Sequence, residues 1–303
     1  MPDGLFTTPD AATTLHRILA GLNRIRMTPC VPGDEAEVDP AALAAERAYL
    51  RAARQQVAQA AALAPTDAQG FLAWFEELER TGPGQHHGLF PWLRDHASME
   101  QMRWFLTQEV AGEAGFEDLT ALAQIRMPQR AKLEMARNYW DEMGRGQAKG
   151  MHGPMLEYLA AKLELRPTAQ ATVWESLALA NTMAGLAYHR HYAFQAVGAL
   201  GVIELTAPAR AGMVTQGLKR LGVPDKHRHY FSLHAVLDIQ HAASWNAEVI
   251  LPLIEQDPRR AEAIAEGALM RLACGARCYD RYSQELGLAA KLTEVAGLIR
   301  TGR

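Results

Sequence analysis

Three side chains of metal-binding type recur at helical spacing in the segment Tyr230-Phe-Ser-Leu-His-Ala-Val-Leu-Asp-Ile-Gln-His-Ala-Ala-Ser-Trp245. The segment holds neither proline nor glycine, so it reads as the interior of a helix. At roughly 100° per residue, His234, Asp238 and His241 fall within a sector of about 60°. Two imidazoles and a carboxylate therefore look the same way. Such a set suits iron, manganese or zinc, and turned inward it is costly without a cation or hydrogen-bond partners. The plainer alternative is a solvated polar stripe, or core histidines satisfied by hydrogen bonds.

Other acidic and imidazole groups stand where they are out of place. Asp141 and Glu142 close an apolar-periodic stretch, glycines 144, 146 and 150 follow, and His152 begins the next. Glu109 interrupts the run from Trp104 to Phe116, and Glu204 lies within Val202-Ile-Glu-Leu205. A glutamate among such neighbours is rarely buried unless something compensates its charge. Each alone is more often structural. Helices that deliver carboxylates and histidines inward from separate segments are how di-iron carboxylate sites are built, and iron so held can take up O2 beside a substrate.

The elements needed to position these groups are helical. Apolar residues recur at three- and four-residue spacing, strand-like alternation is nearly absent, and the fold class predicted is all-α. Helices are predicted at about 11–27, 41–63, 68–80, 99–113, 116–123, 128–143, 154–165, 172–199, 207–221, 226–255 and 259–286. Residues 28–40, rich in proline and acid, read as a linker. Residues 1–64 are taken as an N-terminal helical arm with its linker, and residues 65–303 as the main helical domain.

Composition narrows the partners. The chain has 303 residues, 49% hydrophobic and 21% charged, enough for a sizeable core. A net charge of -3 offers no reservoir for phosphate backbones, so nucleic acid is not expected and a small-molecule substrate is. No uninterrupted apolar run approaches the ~20 residues of a membrane span. Met1 to Pro9 lacks the basic start of a signal peptide, so a cytoplasmic setting is expected. Cys30, Cys274 and Cys278 do not make a disulfide framework.

From about Ala68 to Leu286 these residues resemble the haem-oxygenase-like di-iron oxidase and oxygenase superfamily, the iron-containing redox enzymes. The mark is the His-x3-Asp-x2-His helix of His234, Asp238 and His241, with Glu204, Pro208 and the turn after Gly217 some thirty residues upstream. The resemblance implies a haem-oxygenase-like bundle that binds two irons cycling between Fe(II) and Fe(III), uses O2 as co-substrate and holds no haem. It implies Glu109, Glu142, His152, Glu204, His234, Asp238 and His241 as metal ligands. Helix order suggests Glu109, Glu142 and His152 on one iron, with Glu204, His234, Asp238 and His241 around the other. Relatives place a glutamate three residues before the histidine of the glycine-rich stretch, and here that position is Lys149. A lysine cannot bridge two cations, so either Glu142 takes over as a ligand, or the site holds one firmly bound iron, or it is degenerate. The substrate implied is a small amine, amino acid or fatty-acid-like molecule, with Tyr188, His191 and Gln195 expected along the pocket.

Three other readings remain. A bundle with a degenerate site acting as a small-molecule binding or regulatory protein is favoured by Lys149. A metal-independent relative of the thiaminase type has no need of the His-Asp-His helix. A haem oxygenase needs an early proximal histidine, for which His16 is the candidate. A homodimer is compatible with all of these.

Overall fold

The structure, a computed structural model, describes residues 8–113 and 115–288. Most of the Met1 to Pro9 segment and the end of the domain expected to reach 303 therefore lie outside the described residues. The chain is all-α, and the described residues hold no strand, only an isolated antiparallel bridge between Met143 and Met151.

Two helices open the chain, α1 (Pro9–Met27) and α2 (Pro40–Ala61). Each starts with an oxygen-bearing cap, Thr8 or Asp39, followed by proline at the first helical position. Proline there costs no hydrogen bond, and the cap accepts a free N–H of the first turn. Next come α3 (Ala68–Thr81), capped by Asp67, and α4 (Leu89–Asp95). They are followed by α5 (Met99–Gly112), α6 (Phe116–Ala123), α7 (Gln129–Glu142) and α8 (His152–Lys162). Ser98 and Gln101 start α5 with a reciprocal capping box. The last five helices are α9 (Trp174–Tyr188), α10 (Ala193–Arg220), α11 (His229–Trp245), α12 (Leu251–Gln256) and α13 (Arg260–Glu285).

α10 is the central helix, packed on α11 and α13, while α13 also packs on α9 and α2. The axes of α10 and α13 approach until backbone meets backbone. A Cβ at Gly198 would stand 1.9 Å from the carbonyl oxygen of Ile264, and one at Gly267 would stand 1.8 Å from that of Gln195. Leu200, Val202 and Leu218 of α10 are fully buried, each burial stabilising by about 1.5–3 kcal/mol. Arg190–Arg220 is apolar and long enough to cross a membrane, yet 61% of its most apolar window is buried inside the protein, as a core helix requires.

Leu15 and Leu19 of α1 and Tyr49 and Leu50 of α2 belong to the same buried cluster as the helices that follow. α1 lies against α9 and α2 against α13. The first two helices are thus folded onto the body rather than set apart from it.

The elements differ from the sequence-based expectation in several places, among them the predicted helix 226–255, which a wider turn at Asn246–Ile250 divides into α11 and α12. The predicted helix 172–199 is interrupted by a short turn at Arg190–Tyr192. The predicted stop before 207 is absent, for α10 runs through Pro208. Proline removes one N–H and is tolerated where the surrounding packing holds the helix; the carbonyl left without its donor is that of Glu204. α4 was not foreseen, since seven residues after a Gly-Pro-Gly stretch are too short to show a period, although Leu89 and Leu93 are wholly buried.

Candidate metal centre

The loop between α7 and α8 brings Glu142 and His152 together. Gly144 has φ +59°, and a Cβ there would stand 2.3 Å from the carbonyl carbon of Gly150. Only glycines let the chain double back this tightly. The closed loop forms the Met143–Met151 bridge, so the residues flanking it face each other. His152 Nδ1 lies 2.7 Å from Glu142 Oε2, and both side chains are 4% exposed.

α11 supplies the facing groups. His234 lies edge-on to His152, with ring centroids 4.7 Å apart. Its Nδ1 donates to the carbonyl oxygen of Tyr230 at 2.7 Å. A carbonyl can only accept, so Nδ1 carries the proton and the Nε2 lone pair is left for a ligand. One turn on, Asp238 is buried, and His241 follows beside Glu204 of α10, with Nδ1 to Oε2 at 3.5 Å. The other nitrogen of His241, Nε2, donates to Asp141 Oδ2 at 3.2 Å. Burial works against the Asp141 charge, but Arg145 and His241 bring its pKa below the usual carboxylate range. Asp141 thus orients the His241 ring. Asn138 Nδ2 donates to Glu204 Oε1 at 2.6 Å and fixes that carboxylate.

Two groups of ligand-type side chains result. Glu142, His152 and His234 form one; Glu204, Asp238 and His241 form the other, the ligand atoms within each lying within 4.8 Å of one another. His234 therefore sits with Glu142 and His152, not with His241 as helix order suggested. Four helices contribute.

Glu109 is in neither group. It accepts from the Tyr282 hydroxyl and feels the charges of Arg271 and Arg210. Glu113, one turn later, accepts from Tyr230 and feels Glu142. Lys149 is exposed in the short turn Ala148–Gly150 and opposes nothing in either group.

The electrostatics show what such a set would gain from a cation. Removing a charge from water costs several kcal/mol unless it is compensated. Burial and the neighbouring carboxylates push Asp238 up to about 10 and Glu113 up to about 8, and they push Glu142 well up too. Burial lowers His152 and His234 to about 4, so both are neutral ligands at neutral pH. Burial would also depress His241, but Glu204, Asp141 and Glu142 outweigh it and raise it to about 9. Protons thus occupy places that a divalent cation would take. Several atoms confirm the fit: Asp238 Oδ1, His152 Nδ1 and His241 Nδ1 are buried without an aligned hydrogen-bond partner. His152 Nδ1 and Glu142 Oε2 approach closely without that alignment, as two donors to a common ion do.

A cavity of about 120 Å³ opens onto both groups. Glu142, Glu204, His234 and Asp238 line it beside apolar Val110, Phe116, Ile203 and Phe231. Tyr188, His191 and Gln195, expected along the pocket, do not line it. Tyr188 is 43% exposed under the guanidinium of Arg26. His191 is exposed, and Gln195 is buried and donates to Glu266 at 2.9 Å. The turn at Arg190–Tyr192 and two to three turns of α10 separate them from Glu204.

Sequence reasoning missed Glu113, Asn138, Arg210 and Arg271. Asn138 stands four residues before Glu142 and Glu113 four after Glu109, so helical spacing from residues already singled out could have found both. His16, the haem-ligand candidate, is packed between the rings of Tyr49 and Trp174.

Comparison with known proteins agrees with this architecture. The sequence profile of the iron-containing redox enzymes, a haem-oxygenase-like family, matches residues 103–276, more than half of the chain and inclusive of both groups. The fold is similar to that of a CADD-like protein of unknown function from Nostoc punctiforme, with a TM-score of 0.57, 18% identity, and coverage of 71% of this chain and 96% of that one. No curated protein matches the chain in sequence.

Proposed function

Since the chain belongs to the iron-containing redox enzyme family, we propose that it is a non-haem di-iron oxidase or oxygenase that uses O2 to oxidise a small organic substrate. The observation that carries this reading is the pairing of two three-residue ligand groups on one cavity, with buried ligand atoms that make no aligned hydrogen bond among the described residues. One iron would be held by Glu142, His152 and His234, with Glu113 in reach, and the other by Glu204, Asp238 and His241. Bound iron supplies electrons and open coordination positions for O2.

The protein's own groups prepare the site. The Tyr230 carbonyl sets the tautomer of His234, so its Nε2 presents a lone pair, and Asp141 orients His241 with Nδ1 toward its group. Asn138 holds Glu204 in place. The substrate class is a small amine, amino acid or fatty-acid-like molecule.

The competing reading, a binding protein with a degenerate site, rested on Lys149. That side chain is solvent-exposed, and the carboxylate of Glu113 faces Glu142 instead. Loading the protein anaerobically with Fe(II), measuring bound iron and then recording O2 uptake across a panel of amines, amino acids and alkyl carboxylates tests the proposal. Bound iron with substrate-stimulated uptake supports it; neither iron nor uptake would end it.

A further inference from the structure

The cavity in front of the two ligand groups is also lined by Phe90, Glu109, Arg210, Arg271 and Tyr279, which neighbour one another. Arg210 lies six residues after Glu204 on α10, about 9 Å along the axis, and Glu109 lies one turn before Glu113 on α5. Two helices thus run from a carboxylate-rich end to an arginine end.

Positive charge is in excess there. Arg210 donates to neutral acceptors, Gln85 Oε1 at 3.4 Å and Thr206 Oγ1 at 3.2 Å, and its guanidinium lies over the rings of Phe90 and Tyr279. Arg271 Nε is buried without a hydrogen-bond partner among the described residues. Glu109 is the carboxylate that faces both guanidiniums, and it also receives the Tyr282 hydroxyl. Gly275 keeps the Arg271 head where it is, since a Cβ there would stand 2.9 Å from Nη1 and 3.3 Å from the Tyr279 hydroxyl. Two cations against one carboxylate, on a cavity lined in part by apolar side chains, call for an anion.

We propose that Arg210 and Arg271 form a carboxylate-binding end of the cavity, so that the substrate is an anionic, partly apolar small molecule held with its carboxylate turned away from the metal-ligating groups. This rests on the function proposed above and narrows its substrate class. Guanidinium and carboxylate match in shape as well as charge, with two parallel hydrogen bonds. Val110, Phe116, Ile203 and Phe231 wall the space between the ends and would cover the apolar body. The far end of that body then lies at the ligand groups. The opposite orientation would set an anion among Glu113, Glu142, Glu204 and Asp238 and leave the arginines unbalanced.

The test is calorimetric binding of straight-chain carboxylates, butanoate to dodecanoate, against the matching primary alcohols, on metal-free protein and on anaerobically Fe(II)-loaded protein. The wild type is expected to prefer a carboxylate to its alcohol by about tenfold or more in both states. Arg210→Gln and Arg271→Gln should each erase that preference while alcohol affinity and bound iron stay unchanged. Gly275→Ala displaces Arg271 without removing its charge and should weaken carboxylate binding alone, which keeps the test open if an arginine variant does not fold. A wild type without the preference overturns the inference. So does a preference that appears only with Fe(II) and survives both arginine substitutions, because the carboxylate would then sit on the metal. Failure to bind iron would sink the proposed function, whereas the metal-free measurements still judge the arginine end.

Discussion

Glu109 and Glu113 stand one turn apart on the same helix and line the same cavity, yet they belong to opposite ends of it. Glu113 faces Glu142 and Tyr230; Glu109 faces Arg210, Arg271 and Tyr282. One end gathers carboxylates and imidazoles around places a cation would fill, and the other gathers guanidiniums around a place an anion would fill. Residue type alone does not assign a role. A rise of ~6 Å along one helix changes the charges a carboxylate meets, and with them the chemistry it serves.

The largest effect expected from breaking this contrast is at the ligand groups. His234→Ala should abolish O2 uptake and lower bound iron, because it removes the imidazole whose tautomer Tyr230 fixes. Unchanged iron content in this variant would remove His234 from the metal site. The two glutamates are separated next. Glu113→Gln should weaken Fe(II) binding by about 10- to 100-fold, the usual range for groups supporting a metal site, whereas Glu109→Gln should leave iron in place and alter carboxylate binding. The reverse pattern, read by chelator competition, would restore Glu109 as the ligand.

A smaller effect follows from Asp141, which orients His241 from outside the group. Asp141→Asn should cost about tenfold in iron affinity while the helical content by circular dichroism stays unchanged. Proton competition gives a further handle. In metal-free protein Asp238 and His241 hold protons up to about 10 and about 9, and Fe(II) must displace them. Iron affinity should therefore rise between about pH 6 and 8, with protons released on binding. His152 and His234, lowered to about 4, add nothing in that window. An affinity that is flat or falls with pH would contradict the protonation pattern. The smallest effect belongs to Lys149→Glu: the side chain is exposed, so iron stoichiometry should not change, and a gain in bound iron would show that the loop carries a ligand position after all.

What the sequence made legible was periodic. The His234, Asp238 and His241 stripe survives into the structure because a single helix carries it, and Glu204 was visible because a charge inside an apolar helix has to be compensated. The glycines after Glu142 pointed to a break, and the break proved to be the device that faces Glu142 toward His152. What was not legible depended on contacts between helices. The assignment of His234 to the Glu142 group requires knowing how α8 meets α11. The choice between Glu109 and Glu113 requires knowing where α13 places Arg271. Helix ends were misread where packing overrode local signals, as at Pro208, and where no local signal existed, as at the turn before α10 that carries His191 away from the cavity. α1 and α2 looked separable because their linker is polar, although Leu19 and Leu50 are wholly buried against later helices.

The most direct test of the central claim, that imidazoles and carboxylates from separate helices converge to hold iron, is the number of irons bound per chain after anaerobic Fe(II) loading, read by elemental analysis and Mössbauer spectroscopy in the wild type and in His152→Ala and His241→Ala. The two ligand groups predict about two irons per chain in the wild type and about one in each variant, with a different spectral component lost each time. Equal iron in all three proteins, or none in the wild type, would contradict it.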